Sequence, residues 1–207
     1  MPLASGRGSH RGASGCRAFQ AQSSLPAARH AHGWRQTGPH ADGETLLSRA
    51  LRWAHSQSAC LAVAGATRRW GRTARVLRMP SRAWADWRLT SAMAFASARG
   101  CAAVLLAGCD LPFLPPDLLL RLTRGIGDSK VAVPVSRGRW HVMAALWRAD
   151  PGSLAAYIAA GGRSLHGFAE RQQMICVDWD TGGEDPFFNV NTADDLQLAE
   201  ARIRDQR

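Results

Sequence analysis

No acidic residue precedes Asp42, and a single lysine, Lys130, stands among 26 basic residues. A segment this rich in Arg, Gly, Ser and His and this poor in apolar residues cannot bury enough surface to fold alone. Residues 1–42 are therefore expected to be a disordered or degenerate arm, with the folded domain over 43–207. Long apolar runs are lacking too. None approaches the roughly 20 residues needed to span a bilayer, and the start has no apolar core of a secretory signal, so no membrane association is expected. The five cysteines, Cys16, Cys60, Cys101, Cys109 and Cys176, are odd in number and contain no C-x-x-C spacing. That argues against a disulfide framework or a zinc site and for free thiols in a reducing compartment, hence a cytoplasmic location.

The net charge of +10 is unevenly placed: residues 1–100 hold 15 Arg against 3 acids, while residues 101–207 hold 10 Arg and 1 Lys against 13 acids. Between Arg68 and Arg88, arginines alternate with Trp70, Trp84 and Trp87. Such interleaving can stack on bases, which is the argument for a basic nucleic-acid-binding protein. Charge without a recognisable module is a weak signal, and nucleic acid is not the expected partner.

What the chain does contain is organised around Val104 to Asp117, VLLAGCDLPFLPPD. The apolar run Ala102 to Ala107 halts at Gly108-Cys109 and delivers one carboxylate, Asp110. Pro112, Pro115 and Pro116 then forbid a helix before Asp117. This reads as a buried strand ending in an acid, and in open α/β sheets ligands gather at the carboxyl ends of strands. An Asp in such a place also caps turns, and spacing alone leaves both roles open.

The elements around it alternate. GETLLSRALRWAHSQ puts Leu46, Leu47, Ala50, Leu51 and Ala54 on one helical face with Thr45 as N-cap, and Cys60 to Gly65 follows as a short buried strand. Ser91 to Arg99 predicts a helix, Pro116 to Leu122 another. Val131 to Val135 predicts a strand whose Pro134 implies an edge or an end. Pro151 to Ala160 is helical and stops at Gly161-Gly162. A short helix over Arg163 to Arg171, a strand over Met174 to Trp179 and a final helix opened by Thr192 with Asp195 complete the chain. The class is α/β.

Two stretches, CDLPFLPPDLL at 109–119 and PFFNVNTADDL at 186–196, together resemble the molybdenum cofactor guanylyltransferases. GRWHVMAALWR at 138–148 and AAGGRSLHGFAE at 159–170 occupy the order and spacing of that family, and the likeness covers about 43–77 and 89–207. The resemblance implies a three-layer α/β/α fold with a mostly parallel, Rossmann-like sheet. It also implies transfer of GMP from GTP to the terminal phosphate of molybdopterin, using Mg²⁺ and releasing pyrophosphate, with molybdoenzymes or other cofactor-biosynthesis proteins as further partners. On that pattern Asp110 is the candidate catalytic residue and Mg²⁺ ligand, since nucleotidyl transfer is largely positioning and charge neutralisation by a metal with hard oxygen ligands. Asn189 and Asn191 would reach the molybdopterin side from one face of an extended segment. Arg163 and His141 are further candidates for anion contacts. A cytidylyltransferase or other nucleotidyltransferase of related fold is the alternative within this class.

The sequence departs from the family in one region. Its members begin with a strand and a loop of the form L-A-G-G-x-S-x-R-M-G-x-D-K, whose backbone N–H groups and lysine cradle the triphosphate; no such loop is written here. A segment like D-x-x-P-G-x-G-P-L-x-G is likewise replaced by Arg78 to Arg88, RMPSRAWADWR. Yet Arg29 to His40, RHAHGWRQTGPH, read one base later through synonymous codons, permits Gly-Met-Arg-Met-Gly-Gly-Asp-Lys-x-Ala-Leu-Met. Ser81 to Leu89 likewise permits Ala-Gly-Pro-Gly-Pro-Ile-Gly-Gly. Both segments are thus expected to be frameshifted, and transferase activity of the chain as it stands is expected to be impaired or lost.

Overall fold

The structure, a computed structural model, describes residues 17–22, 40–41, 43–64, 75–77, 86–179 and 182–206. The two segments read as frameshifted, 29–40 and 81–89, fall largely outside these residues. In chain order the elements are β1 (Arg17–Gln22), β2 (His40–Ala41), β3 (Glu44–Thr45), α1 (Leu46–Gln57), β4 (Cys60–Ala64), β5 (Arg75–Leu77), α2 (Asp86–Ala98), β6 (Ala103–Gly108) and α3 (Leu118–Gly125). They continue with β7 (Val131–Ser136), β8 (Arg139–Trp140), a 3₁₀ turn (Val142–Ala144), β9 (Leu146–Arg148), α4 (Pro151–Ala159), α5 (Leu165–Arg171), β10 (Ile175–Asp178) and α6 (Ala193–Asp205).

The main sheet runs β10-β7-β9-β6-β1-β4-β5, with β8 hairpinned onto β7. β10 and β7 pair in parallel, as do β6, β1, β4 and β5 in turn; β9 is antiparallel to both neighbours. The three-layer, mostly parallel sheet implied by the resemblance is therefore present. β6 explains why its sequence is apolar throughout. All six of its residues are buried, because side chains alternate between two covered faces. Val104 and Leu106 pack with Leu89, Met93, Leu154 and Phe168 of α2, α4 and α5. Ala103, Leu105 and Ala107 pack with Leu47, Ala54, Leu118 and Leu122 of α1 and α3. Each fully buried leucine in these layers contributes about 1.5–3 kcal/mol.

Two strands differ from expectation. β1 lies within 1–42, a segment whose composition predicts no structure, yet it pairs along its length with β4 on one side and β6 on the other. Backbone pairing on both sides, not its own periodicity, defines it. β7 is no edge strand despite Pro134, since β9 and β10 flank it. Pairing with β9 ends at Ala132, before the proline, and beyond it the Pro134 carbonyl accepts from His141 N–H at 3.0 Å. The missing proline donor thus falls where the β9 ladder has already stopped.

α1 has the expected buried face, Leu46, Leu47, Ala50 and Ala54, with the Thr45 hydroxyl accepting from Ser48 N–H at 3.0 Å. Its next face carries three donors one turn apart. Arg49 Nε reaches the Pro112 carbonyl at 2.9 Å, Trp53 Nε1 that of Pro115 at 3.1 Å, and Gln57 Nε2 that of Pro116 at 2.9 Å. The i, i+4, i+8 spacing aligns them, and they satisfy loop carbonyls that have no ladder partner. The loop following Asp110 is thereby fastened to α1.

Candidate active site

Because β6, β7 and β10 run the same way, their carboxyl ends share one edge of the sheet. Asp110 stands two residues beyond β6 and is 6% exposed. Its carboxylate lies back over Gly108, where an added Cβ would come within 2.1 Å of Oδ1. The Asp110 carbonyl accepts from Val190 N–H at 2.9 Å. Val190 is buried against Leu46, Ala199 and Ile203, so its neighbours Asn189 and Asn191 are turned outward and both are exposed. The structure therefore brings Asp110 together with the two asparagines. Asn191 is held in turn: its N–H donates to Asp195 Oδ2 at 3.0 Å, part of a capping box in which Asp195 N–H donates to the Thr192 hydroxyl at 3.1 Å.

His141 reaches the same edge by another route. Its Nε2 is 2.7 Å from the Ser136 hydroxyl at the end of β7, and that hydroxyl donates to Asp185 Oδ1 at 2.9 Å. The ring stacks on Phe187 with centroids 4.5 Å apart. Burial pushes the His141 pKa below the ordinary imidazole value; Arg139 lowers it further, while Asp185 and the Ser136 hydrogen bond oppose. With Nε2 engaged, Nδ1 can donate to an anion only when the ring is protonated on both nitrogens. Arg163 is exposed between α4 and α5. No hydrogen bond or ion pair found among the described residues joins it to Asp110, His141, Asn189 or Asn191.

Two open clefts of about 440 and 320 Å³ adjoin this edge and share Phe113 and Arg202 as a common wall. The Arg202 guanidinium lies 3.8 Å from the Phe113 ring centroid, donates to the Asp185 carbonyl at 2.9 Å and pairs with Glu184. Ser136, Asp185 and Arg202 were not singled out from the sequence. The signal that could have found the first is a polar residue at the end of an apolar strand, the same pattern that revealed Asp110.

Among the described residues no group of three His, Cys, Asp or Glu side chains could hold a metal ion by itself. A single buried carboxylate at the sheet edge suits Mg²⁺, which commonly takes one or two carboxylates and draws its other ligands from substrate phosphates and water.

A mostly parallel sheet covered by helices on both faces, with an acid just past a central strand, defines a Rossmann-like α/β domain of the nucleotide-handling class. Residues 28–174 match the model of the MobA-like NTP transferase domain, and the chain belongs to that family. It is 38% identical over 109 residues to the molybdenum cofactor guanylyltransferase of Rhodopseudomonas palustris, covering 50% of this chain and 52% of the relative. The chain spans about half the length of the curated relatives it matches. Among solved structures it resembles molybdopterin-guanine dinucleotide biosynthesis protein A from Archaeoglobus fulgidus, with TM-score 0.69 and 16% identity over 91% of this chain and 99% of that one. It also resembles the 4-diphosphocytidyl-2C-methyl-D-erythritol synthase of Anaerococcus prevotii, with TM-score 0.70 and 11% identity over 92% and 96%. At these identities the two likenesses establish the fold. No helix among the described residues is long and apolar enough to cross a membrane.

Proposed function

We propose that the chain is a guanylyltransferase of molybdenum cofactor biosynthesis that carries the acceptor half of its site intact and the triphosphate-binding half altered. The observation that carries the reading is the Val190 N–H to Asp110 carbonyl bond. It ties the backbone between the two outward asparagines to that of Asp110, in a family whose relatives carry the guanylyltransferase name. In the reaction a terminal phosphate oxygen of molybdopterin attacks the α-phosphorus of GTP. The new phosphoanhydride forms as the bond to the β-phosphate breaks, and pyrophosphate leaves.

Asp110 would hold Mg²⁺, which when bound neutralises charge on the triphosphate and the leaving pyrophosphate. Asn189 and Asn191 donate amide N–H groups to the acceptor phosphate from the start of α6, whose positive end favours an anion. The Arg163 guanidinium supplies a further anion contact, and His141 adds one from Nδ1 when its ring carries a proton on both nitrogens. The product passes to molybdoenzymes or to other proteins of cofactor assembly. The chain as written lacks the glycine-rich loop and its lysine, so its turnover is low.

The test is pyrophosphate release and guanine dinucleotide formation from GTP, Mg²⁺ and molybdopterin, run on this chain and on one with the loop written back in frame. A trace from the first and robust product from the second are expected. Silence from both would remove the transferase reading, and equal robust rates would remove the claim of impairment. The specific second reading is a cytidylyltransferase, favoured by the likeness to the Anaerococcus fold; faster turnover with CTP than GTP in the restored protein would select it.

A further inference from the structure

Asp185 is a hub that nothing in the proposed chemistry uses. Its Oδ1 accepts twice, from the Ser136 hydroxyl and from Phe187 N–H, each at 2.9 Å. Its carbonyl accepts from Phe188 N–H at 3.2 Å and from Arg202 Nη1 at 2.9 Å. One residue thereby joins the end of β7, the segment 187–191 and α6. The far side of the anchor is closed as well. Ser136 is 1% exposed, and having given its only proton to Asp185 its oxygen accepts from Nε2–H of His141, which fixes that tautomer. His141 then presses on Phe187, whose ring also meets Trp179 edge-on at 5.5 Å. Phe187 is held by its N–H and by both sides of its ring, three residues before Val190 and its bond to Asp110.

We propose that Asp185 and Ser136 form the positioning pair that sets the Asn189–Asn191 segment against Asp110, so that a phosphate-bearing acceptor meets both asparagines in one register. The part of this that concerns the acceptor rests on the guanylyltransferase reading; the positioning itself does not. A buried acceptor that loses its donors, or a donor that loses its acceptor, is expensive, so removing either partner lets the segment leave the edge. Neither residue touches the reacting atoms. Their effect passes through Phe187 and Val190.

The measurement is amide hydrogen exchange of Val190 in the full chain, with Leu106 N–H, bonded to the Ala145 carbonyl, and Ile126 N–H, bonded to the Leu122 carbonyl, as controls. Ser136→Ala is expected to speed Val190 exchange about tenfold, the factor that corresponds to one hydrogen bond, and Asp185→Ala to speed it further, with both controls unchanged. Asp185→Asn keeps a carbonyl oxygen at the same place and restores slow exchange, and Ser136→Thr does the same for the hydroxyl. If Asp185→Ala fails to fold, the Ser136→Ala and Ser136→Thr comparison carries the result. Unchanged Val190 exchange in Ser136→Ala, or fast exchange in Asp185→Asn, overturns the proposal. Titration with molybdopterin separates the two readings. Binding that weakens about tenfold in Ser136→Ala, by the same hydrogen-bond factor, supports both. Absence of molybdopterin binding alongside the expected exchange pattern sinks the guanylyltransferase reading and leaves the positioning pair standing.

Discussion

Val190 N–H donates to the carbonyl of Asp110 at 2.9 Å, and through this bond the turn after the central strand and the start of the last helix become one surface. The bond uses only backbone atoms, so the side chains of Asp110, Asn189 and Asn191 play no part in it. It also means that any change displacing 187–191 moves the asparagines relative to the acid, even where no side chain of the site is altered.

Asp110→Asn isolates the carboxylate. The amide is nearly the same shape and the carbonyl bonded to Val190 is untouched. In the protein with the loop restored, transfer from GTP should fall about a hundredfold, as when one preorganised electrostatic contact to a developing charge is removed. Pyrophosphate release under Mg²⁺ measures it; an unchanged rate would take Asp110 out of the reaction.

The imidazole of His141 leaves a signature in stability against pH. Burial lowers its pKa in the folded state, so between that value and the ordinary value of about 6.5 the unfolded chain binds more protons at this position. The contribution is fully present above the unfolded value and is lost as pH falls through the folded one. Thermal midpoints measured from about pH 7.5 down to about pH 5 should therefore drop more steeply for the parent than for His141→Gln. Parallel curves would show that His141 does not carry this dependence.

Thr192 anchors the other end of the asparagine segment. Its hydroxyl accepts from Asp195 N–H, and Asp195 Oδ2 accepts from both Asn191 and Thr192 N–H. Thr192→Ala should cost about 1 kcal/mol, roughly 2–4 °C in the thermal midpoint of a domain this size. The Thr192 hydrogen bond, with those from the Asn191 and Thr192 amides, holds the Asp195 carboxyl below its ordinary pKa. The stabilisation is thus present at neutral pH and fades only as pH falls through that lowered value. Scanning calorimetry of the parent and Thr192→Ala should show the gap at neutral pH close under acid; a gap independent of pH would argue against the capping box as its source.

Features set by neighbouring residues were legible in the sequence, and features set by distant ones were not. Asp110 was visible because a run of apolar residues and three prolines bracket it. The capping box at Thr192 and the buried face of α1 follow from spacings of three and four residues. The Ser136–Asp185 bond joins positions with no shared local pattern, and Arg202 comes from a helix whose periodicity shows only its apolar face. Pro134 signalled an end correctly in a local sense, since the β9 ladder stops before it, but could not reveal that β10 occupies the other side. β1 was illegible because RAFQAQ has no apolar alternation, and its position comes from the two strands that flank it.

The altered half of the site makes the most decisive prediction, and it needs no protein. If a base was gained or lost upstream of the Arg29 codon, the true codons of Arg29 to His40 must spell the loop one base later. That fixes the bases left open by synonymy: His30 and His32 must each end so that the next frame reads Met, and the Trp34, Arg35 and Gln36 codons must yield Gly-Asp-Lys across their boundaries. A second return to frame must lie before Leu89, after Ser81 to Arg88 has yielded Ala-Gly-Pro-Gly-Pro-Ile-Gly-Gly. Random synonymous choice would satisfy all of these positions together only rarely, so the coding DNA discriminates sharply. Codons that give any other peptide one base later end the frameshift explanation. Codons that give the loop predict that one compensated base on each side restores Mg²⁺-dependent transfer to a chain whose Asp110, Asn189 and Asn191 are already in place.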